Sequence, residues 1–195
     1  MRAERMESLD TLLVQVLPQV DGCPVSMAKD ALQFIASDFC KVSGAWEREV
    51  LELVPAGESR IPLHDIPREA RLVSVLAVTL AGTSLSRAEF FVGAGEIVLR
   101  DAPCRDADLA ARVTLRPERI ADSLPKFILE EWGDIIAFGA LAKLKTMSGA
   151  NVTWTDAQGA QVNLTLYNEG IYAARTRIFR NRKGGATLFA NGVQS

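Results

Sequence analysis

The stretch IIAFGALA, residues 135–142, is apolar on every side of a helix. A helix that is apolar all round is buried by neighbours on several sides, so this stretch predicts the centre of a helical bundle. Asp122 or Ser123 is expected to cap the helix, with Pro125 in its first turn, and Gly149 to end it. One face of this helix is marked by residues spaced four, three, four and three apart: Ile128, Trp132, Ile135, Gly139 and Ala142.

Two further helices are predicted before it. The first covers residues 4–17, where apolar residues recur with helical spacing until Pro18. The second begins at Pro24, where a missing backbone N–H has no cost, and ends at Gly44. Their apolar faces are formed by Leu9, Leu12, Leu13, Val16 and Leu17 in the first, and by Ala28, Ala31, Leu32, Ile35 and Phe39 in the second.

The pattern changes between residues 46 and 116, which hold four of the eight prolines and several short runs of strand composition. This segment predicts a small antiparallel β module. The run 71–80 is apolar on both alternations, which favours a central strand covered on both faces. The Gly93-Ala94-Gly95 sequence predicts a hairpin turn and not a phosphate-binding loop. The predicted strands are residues 50–54, 71–80, 96–100 and 111–115.

The last predicted helix has the most regular apolar spacing in the chain. Gly159 and Gly170 each weaken it by about 1 kcal/mol relative to alanine, so its stability must come from packing lengthwise on another helix. We expect it to end at Gly184 and Gly185 and to leave an extended tail. The predicted buried seam consists of Ala157, Ala160, Leu164, Tyr167, Ile171, Ala174 and Ile178.

Together these elements predict an α+β fold, a small bundle of about four helices with an inserted antiparallel β module and an extended C-terminal tail. The predicted segments are residues 1–46 and 117–185 for the two parts of the bundle, 47–116 for the β module and 186–195 for the docking tail.

Charge is distributed unevenly along the chain. The 195 residues contain 22 basic and 24 acidic side chains, a net charge of -2, which excludes a globally basic nucleic-acid binder. All 24 acids and 17 of the bases fall in residues 1–169, a net -7, whereas residues 170–195 hold five bases and no acid, a net +5. The run 12–17 is too short and too close to acids to be a signal peptide or membrane span, so we expect a protein that is cytosolic when made.

Catalytic, metal-binding and cofactor motifs are not found in the sequence, and we expect neither an enzyme nor a cofactor or metal site. The cysteines form no CxxC pair and predict reduced, mostly buried thiols. The single histidine, His64, lies in a turn-rich stretch. Glu130 and Glu131 are helical neighbours about 100° apart and cannot flank one bond. The cysteines are Cys23, Cys40 and Cys104.

The basic segment 171–183, IYAARTRIFRNRK, is the predicted functional surface. Ordinary exposed helices mix charges of both signs, so five bases without an acid favour a binding surface for an acidic protein or a phosphate backbone. Tyr172 and Phe179, seven residues apart, form a second apolar row that suits a protein partner. Base stacking on these rings is the alternative.

Several motifs follow one another in an order that resembles the head-tail adaptor proteins of tailed phages. They are Phe39-Cys40 in the second helix, Leu124-Pro125 before the third, the run 139–144 (GALAKL), Trp154-Thr155-Asp156 before the last helix, and Ala174-Arg175 within it. The resemblance covers residues 1–185 and depends on the order of these motifs together.

This resemblance implies a structural virion protein of the neck that forms a ring, twelvefold in the family, beneath the portal. Its implied partners are the portal protein, neighbouring adaptor subunits and a tail or nozzle protein. Genomic DNA would pass through the ring without sequence-specific binding, and no membrane is involved. The resemblance also implies that the C-terminal helix and tail dock on the portal, through Arg175, Arg177, Arg180, Arg182, Lys183, Leu188 and Phe189.

Two other functions remain open from the sequence. One is a nucleic-acid-binding protein that uses the basic C-terminal helix. The other is a different neck component, such as a stopper or tail-completion protein, with the same structural role at another level. Binding to phosphates weakens steeply with salt, which separates the first of these from an adaptor.

Overall fold

The structure, a computed structural model, describes residues 4–93, 95–149 and 152–190, and over residues 183–190 the backbone alone. Within these residues the chain is α+β, as predicted, with four α-helices and antiparallel sheets. In chain order the elements are β1 (Met6–Ser8), α1 (Leu13–Val16), α2 (Val25–Ser43), β2 (Trp46–Val54), β3 (Arg60–Pro62), β4 (Ala70–Leu80), β5 (Thr83–Ser84), β6 (Phe90–Val92), β7 (Glu96–Leu99), β8 (Ala107–Pro117), β9 (Ser123–Pro125), α3 (Lys126–Lys145) and α4 (Ala157–Ala190).

The chain divides into two compact units. The helical unit combines residues 1–45 with 119–195, and the β unit is residues 46–118. The β unit is therefore inserted into the sequence of the helical unit. Its observed bounds, 46 and 118, lie one and two residues from the predicted bounds, 47 and 116.

A proline and a glycine set the two ends of helix α2. Pro24 is its N-cap, so the helix begins at Val25, one residue later than predicted, and Gly44 ends it in the left-handed conformation with φ 68°. The amide of Gly44 donates to the carbonyl of Cys40, so one of the last carbonyls of the helix is satisfied. Its buried face consists of Ala28, Ala31, Leu32, Ile35, Ala36, Phe39 and Cys40.

Helix α3 is the centre of the helical unit, as the apolar stretch 135–142 predicts. It packs against α1, α2 and α4. Pro125 is its N-cap and the last residue of β9, so the helix begins one residue after this proline and not before it. Its buried residues lie on several faces: Ile128, Leu129, Ile136, Ala137, Ala140, Leu141, Ala142 and Leu144.

The predicted helix over residues 4–17 is wrong. Residues Met6–Ser8 form β1, which pairs antiparallel with β9, and only Leu13–Val16 are α-helical, between two turns of 3₁₀-helix. The pairing extends beyond the strand, since the amide of Leu9 donates to the carbonyl of Asp122 at 2.7 Å. Helical spacing nevertheless identified the buried side chains, because Leu9, Leu12 and Val16 are all buried.

The β unit contains two antiparallel sheets, in the orders β2-β8-β4-β5 and β3-β7-β6. The expectation that residues 71–80 form a central strand covered on both faces is wrong in part. The strand flanked along its length on both sides is β8, while β4 is half-buried over much of its length and has two register shifts against β8. These bulges interrupt the alternation of β4 side chains between the two faces of the sheet. Apolar residues therefore occur at both odd and even positions in the sequence of β4.

The predicted hairpin turn is confirmed on both sides of Ala94, which itself lies outside the described residues. Strands β6 and β7 pair antiparallel, and the amide of Gly93 donates to the carbonyl of Glu96 at 2.9 Å. Gly95 has φ 85°, a conformation that glycine adopts without strain.

Helix α4 continues beyond its predicted end. It passes through Gly184 and Gly185 and reaches Ala190, so residues 186–190 are helical and not an extended tail, and residues 191–195 lie outside the described residues. Extending an existing helix adds one hydrogen bond per residue fixed. Glycine costs about 1 kcal/mol relative to alanine in a helix but does not forbid it.

Candidate docking surface on the C-terminal helix

Helices α3 and α4 form an antiparallel hairpin. At one end, Lys145 Nζ lies 3.1 Å from Asp156 Oδ2. At the other, Arg177 forms an ion pair with Glu131. This pairing fixes which residues of α4 face α3 and which remain available to a partner.

Glycine permits the close approach of the helices. A Cβ atom at Gly170 would lie 2.5 Å from Cγ2 of Ile135, and one at Gly139 would lie 2.6 Å from Cγ2 of Ile35. Both distances are far below van der Waals contact, so no larger residue fits without movement. Gly170, one of the two glycines that weaken α4 in isolation, is therefore what lets this helix pack closely on α3.

The buried stripe of α4 differs from the predicted seam. Ala160, Tyr167 and Ala174 are buried as predicted, but the positions between them are Asn163 and Gly170. The predicted Leu164 is 42% exposed, and Ile171 and Ile178 are half-buried. Asn163 tolerates burial because its Nδ2 donates to the carbonyl of Gly159 at 2.7 Å.

Tyr167 joins α4 to α2. Its hydroxyl donates to Asp38 Oδ2 at 2.9 Å, and its ring lies against Gly139. Burial, and then the negative charge of Asp38, raise the pKa of Tyr167 above its ordinary value. The tyrosine therefore stays protonated and keeps this hydrogen bond over the physiological pH range.

Helix α4 is long enough to extend past its partner. Its 34 residues span about 51 Å and the 20 residues of α3 about 30 Å. The contacts of Ile135 with Gly170 and of Glu131 with Arg177 place Lys126, the first residue of α3, level with residues 179 to 182 of α4. The last eight residues, 183–190, therefore continue for about 12 Å beyond α3.

The seven predicted portal-binding residues all lie in α4, four before residue 183 and three within residues 183–190, but not all are equally available. Arg177 is held within the chain by Glu131, and its guanidinium carbon lies 5.9 Å from the centre of the Trp132 ring. Arg175 and Arg180 are exposed and have no ion pair with a described residue, whereas Arg182 is half-buried. The structure gives only the backbone position, within α4, of Lys183, Leu188 and Phe189.

The two aromatic residues of the basic segment face solvent. Tyr172 is 75% exposed and Phe179 is 56% exposed. With 100° per residue, Arg175 lies 60° and 40° around the helix from these two rings, so the three residues share one side of α4 away from the buried stripe. We call Tyr172, Arg175 and Phe179 the basic-aromatic face. Sequence spacing identified the row but not its exposure, because an apolar row at helical spacing is usually core.

Sequence reasoning missed a groove between α2, α3 and α4. Its volume is about 430 Å³, and its lining includes Ile35, Ala142, Lys143, Leu164 and Tyr167. The available signal was the absence of any charged residue between positions 157 and 168, although this helix surface exposes three aliphatic side chains. They are Val162, Leu164 and Leu166.

The residues considered for catalysis or metal binding do not come together in one site. His64 is exposed, with Nδ1 3.3 Å from Glu52 Oε2. Cys23 and Cys40 are buried, and Cys104 is exposed. Among the described residues no group of His, Cys, Asp or Glu is arranged to hold a metal ion. None of the helices in that part of the chain has the length and apolar character needed to cross a membrane.

No model of a known protein family matches the chain, and no curated protein matches it either.

Proposed function

We propose that the protein is a structural virion component, a head-tail adaptor that forms a ring beneath the portal, links it to the tail and continues the DNA channel. The observation that carries the proposal is the C-terminal part of α4, which exposes a basic-aromatic face and continues beyond α3. The motifs of the sequence suggest this particular function, because their order resembles that in phage head-tail adaptors.

The composition of the basic-aromatic face supports docking on a protein. Tyrosine, phenylalanine and arginine are enriched in the cores of protein interfaces, and the aromatic rings supply large contact areas with few flexible bonds. Tyr172 is exposed over three quarters of its surface, and together with the exposed Phe179 it offers aromatic surface for a partner to bury. A partner with an acidic and apolar groove would complement this face.

The resemblance implies the remaining partners, and the division into two units is compatible with them. A ring subunit contacts a lateral neighbour on each side through two different surfaces, together with the portal above and a tail or nozzle protein below. The helical and β units supply separate surfaces for these contacts. The protein would be located in the neck of the virion, after synthesis in the host cytoplasm, and would carry out no catalysis.

The nucleic-acid alternative is less well supported by the charges on α4. Arg177 is neutralised by Glu131, and residues 1–169 have a net charge of -7. Phosphate binding releases about 0.9 counterions per contact, so affinity for DNA would fall steeply with salt, whereas docking through aromatic side chains would change little. A stopper or tail-completion protein at another level of the neck remains the closer alternative.

Electron microscopy of the protein with and without portal tests the proposal. We expect rings on the portal, and monomers or weak oligomers in its absence. Deleting residues 186–195 should abolish co-sedimentation with portal and leave the fold intact, because residues 186–190, the described part of this segment, lie beyond the end of α3. Replacing Tyr172 and Phe179 with serine should weaken the same binding, while Val162→Ser, an equally exposed change elsewhere on α4, should not. Unchanged binding by the deletion would contradict the assigned docking segment.

A further inference from the structure

Helix α4 has a second stripe of residues on the side opposite its buried stripe. With 100° per residue, five side chains of its C-terminal half fall within a sector of about 100° around the helix. The centre of this sector lies about 170° from the centre of the buried stripe. All five side chains are exposed. We call them the outer stripe, which consists of Glu169, Tyr172, Thr176, Phe179 and Arg180.

The outer stripe carries one acid and one base at a separation that suits a twofold axis. Glu169 is the only acidic residue of α4. Arg180 lies eleven residues after it, which is about 16.5 Å along the helix and about 20° around it. Neither side chain forms an ion pair within the described part of the chain. The two charges therefore lie on one line and are available to a partner.

We propose that the outer stripe of α4 packs against the outer stripe of a second copy of this chain. The two helices run antiparallel, and the twofold axis lies level with residues 174 and 175. Glu169 of each copy then lies opposite Arg180 of the other, so the same attraction occurs twice. A contact of one surface with itself closes after two copies.

The same arrangement covers the two aromatic rings of the outer stripe. Tyr172 lies about 2.5 residues before the axis and Phe179 about 4.5 residues after it. Tyr172 of one copy and Phe179 of the other therefore differ by about 3 Å along the helices, and two aromatic pairs form beside the axis. In the single chain Tyr172 is 75% exposed and Phe179 is 56% exposed, so the pairing buries aromatic surface that water otherwise contacts.

The charges of α4 favour the antiparallel direction over the parallel one. A parallel pair would place Glu169 beside Glu169 and Arg180 beside Arg180, and like charges on neighbouring helical positions are destabilising. In the antiparallel pair, Arg180 and the bases after it lie level with residues 169 and earlier. Residues 157–174 contain no base, so the basic end of each helix lies beside a stretch of the other helix without positive charge.

This pairing goes beyond the proposed function and does not depend on it. Tyr172 and Phe179 belong both to the outer stripe and to the basic-aromatic face, so pairing with a second copy and docking on the portal exclude each other. Only one helix of each copy takes part, and interfaces below about 1,200 Å² are weak or transient, so we expect a weak dimer of the free protein. Its measurement needs no portal, and portal binding neither supports nor contradicts it.

Sedimentation equilibrium of the full chain without portal measures the dimer. Glu169→Arg and Arg180→Glu each replace two symmetric attractions by repulsions, and we expect either change to raise the dimer dissociation constant roughly 4- to 30-fold. The double variant Glu169→Arg/Arg180→Glu exchanges the charges and should return to the wild-type value. Asp30→Arg and Lys41→Glu make the same charge changes on exposed residues of α2, and these matched controls should behave as wild type.

Disulfide cross-linking tests the direction of the two helices. A Cys104→Ser background leaves only the two buried cysteines. In it, Thr176→Cys lies about 4.5 Å along the helix from its counterpart in the second copy and should cross-link under mild oxidation. Thr165→Cys, about 28.5 Å from its counterpart, is the matched control and should not cross-link. A parallel pair would cross-link through both.

Three results would overturn the proposal. They are a monomer at every concentration, a double variant that stays as weak as the single ones, and cross-linking through Thr165→Cys equal to that through Thr176→Cys. Circular dichroism identical to wild type shows that the variants are folded.

Discussion

Gly170→Ala should destabilise the helical unit, although alanine is the better helix former. Helix propensity alone would favour alanine by about 1 kcal/mol. The new Cβ, however, would lie 2.5 Å from Cγ2 and 2.6 Å from Cδ1 of Ile135. A β-branched side chain in a helix has one strongly preferred rotamer and cannot turn away, so the clash must be relieved by moving α4 from α3.

Such overpacking costs about 1 to 3 kcal/mol. Setting a cost of about 2 kcal/mol against the gain of about 1 predicts a net loss of about 1 kcal/mol in the free energy of unfolding. Urea denaturation followed by far-ultraviolet circular dichroism measures this change, since the signal comes mainly from the helices.

The control removes the clashing atoms. In an Ile135→Ala background, Gly170→Ala should stabilise the protein by about 1 kcal/mol, because only helix propensity remains. The double-mutant cycle then gives a coupling of about 2 kcal/mol between the two sites. If Gly170→Ala stabilised the protein equally in both backgrounds, the close packing of α3 on α4 would be refuted.

Three further predictions concern a buried tyrosine, the reactivity of two cysteines and an ion pair between α3 and α4. Stability should fall as pH rises above about 10, because Tyr167 ionises in the unfolded chain while its raised pKa keeps it protonated in the folded one. Tyr167→Phe, which loses the hydrogen bond to Asp38, should reduce this fall when unfolding is measured between pH 8 and about pH 11. A thiol reagent should label Cys104 at once and Cys40 only on unfolding, since Cys40 is fully buried and its pKa is raised; rapid labelling of Cys40 in native protein would contradict this burial. Arg177→Ala should cost less than about 1 kcal/mol by thermal denaturation, since its ion pair with α3 is largely exposed, and a larger loss would show that the pair organises the hairpin.

Helices α2 and α3 were predictable because the information that defines them is local. Each has about twenty residues of helical periodicity and a proline just before it, and α2 also ends at a glycine. The conformation of the N-terminal segment, in contrast, depends on a distant part of the chain. Met6 pairs with Pro125, about 120 residues away, and spacing within residues 4–17 shows nothing of that partner. Its buried side chains were identified, but its backbone conformation was not.

The candidate docking surface was predictable in position but not in detail. The absence of acids after residue 170 located it, since composition needs no knowledge of the fold. The availability of each side chain depends on the register of α4 against α3, which assigns Arg177 to Glu131 and turns Tyr172 outward. If α4 were shifted by one turn along α3, its side chains would contact different residues, although the spacing of residues in the sequence would be the same.

The insertion of the β unit between α2 and α3 has a consequence for synthesis of the chain. Helix α2 ends at Ser43 and α3 begins at Lys126, so 82 residues separate the two. At 5 to 20 residues per second, the ribosome needs about 4 to 16 s to make them. Phe39 and the rest of the apolar face of α2 lack their partner for that time, although the β unit can already pair its strands. The order of residues along the chain thus leaves the apolar face of α2 uncovered during synthesis. Chaperones bind such exposed apolar surfaces.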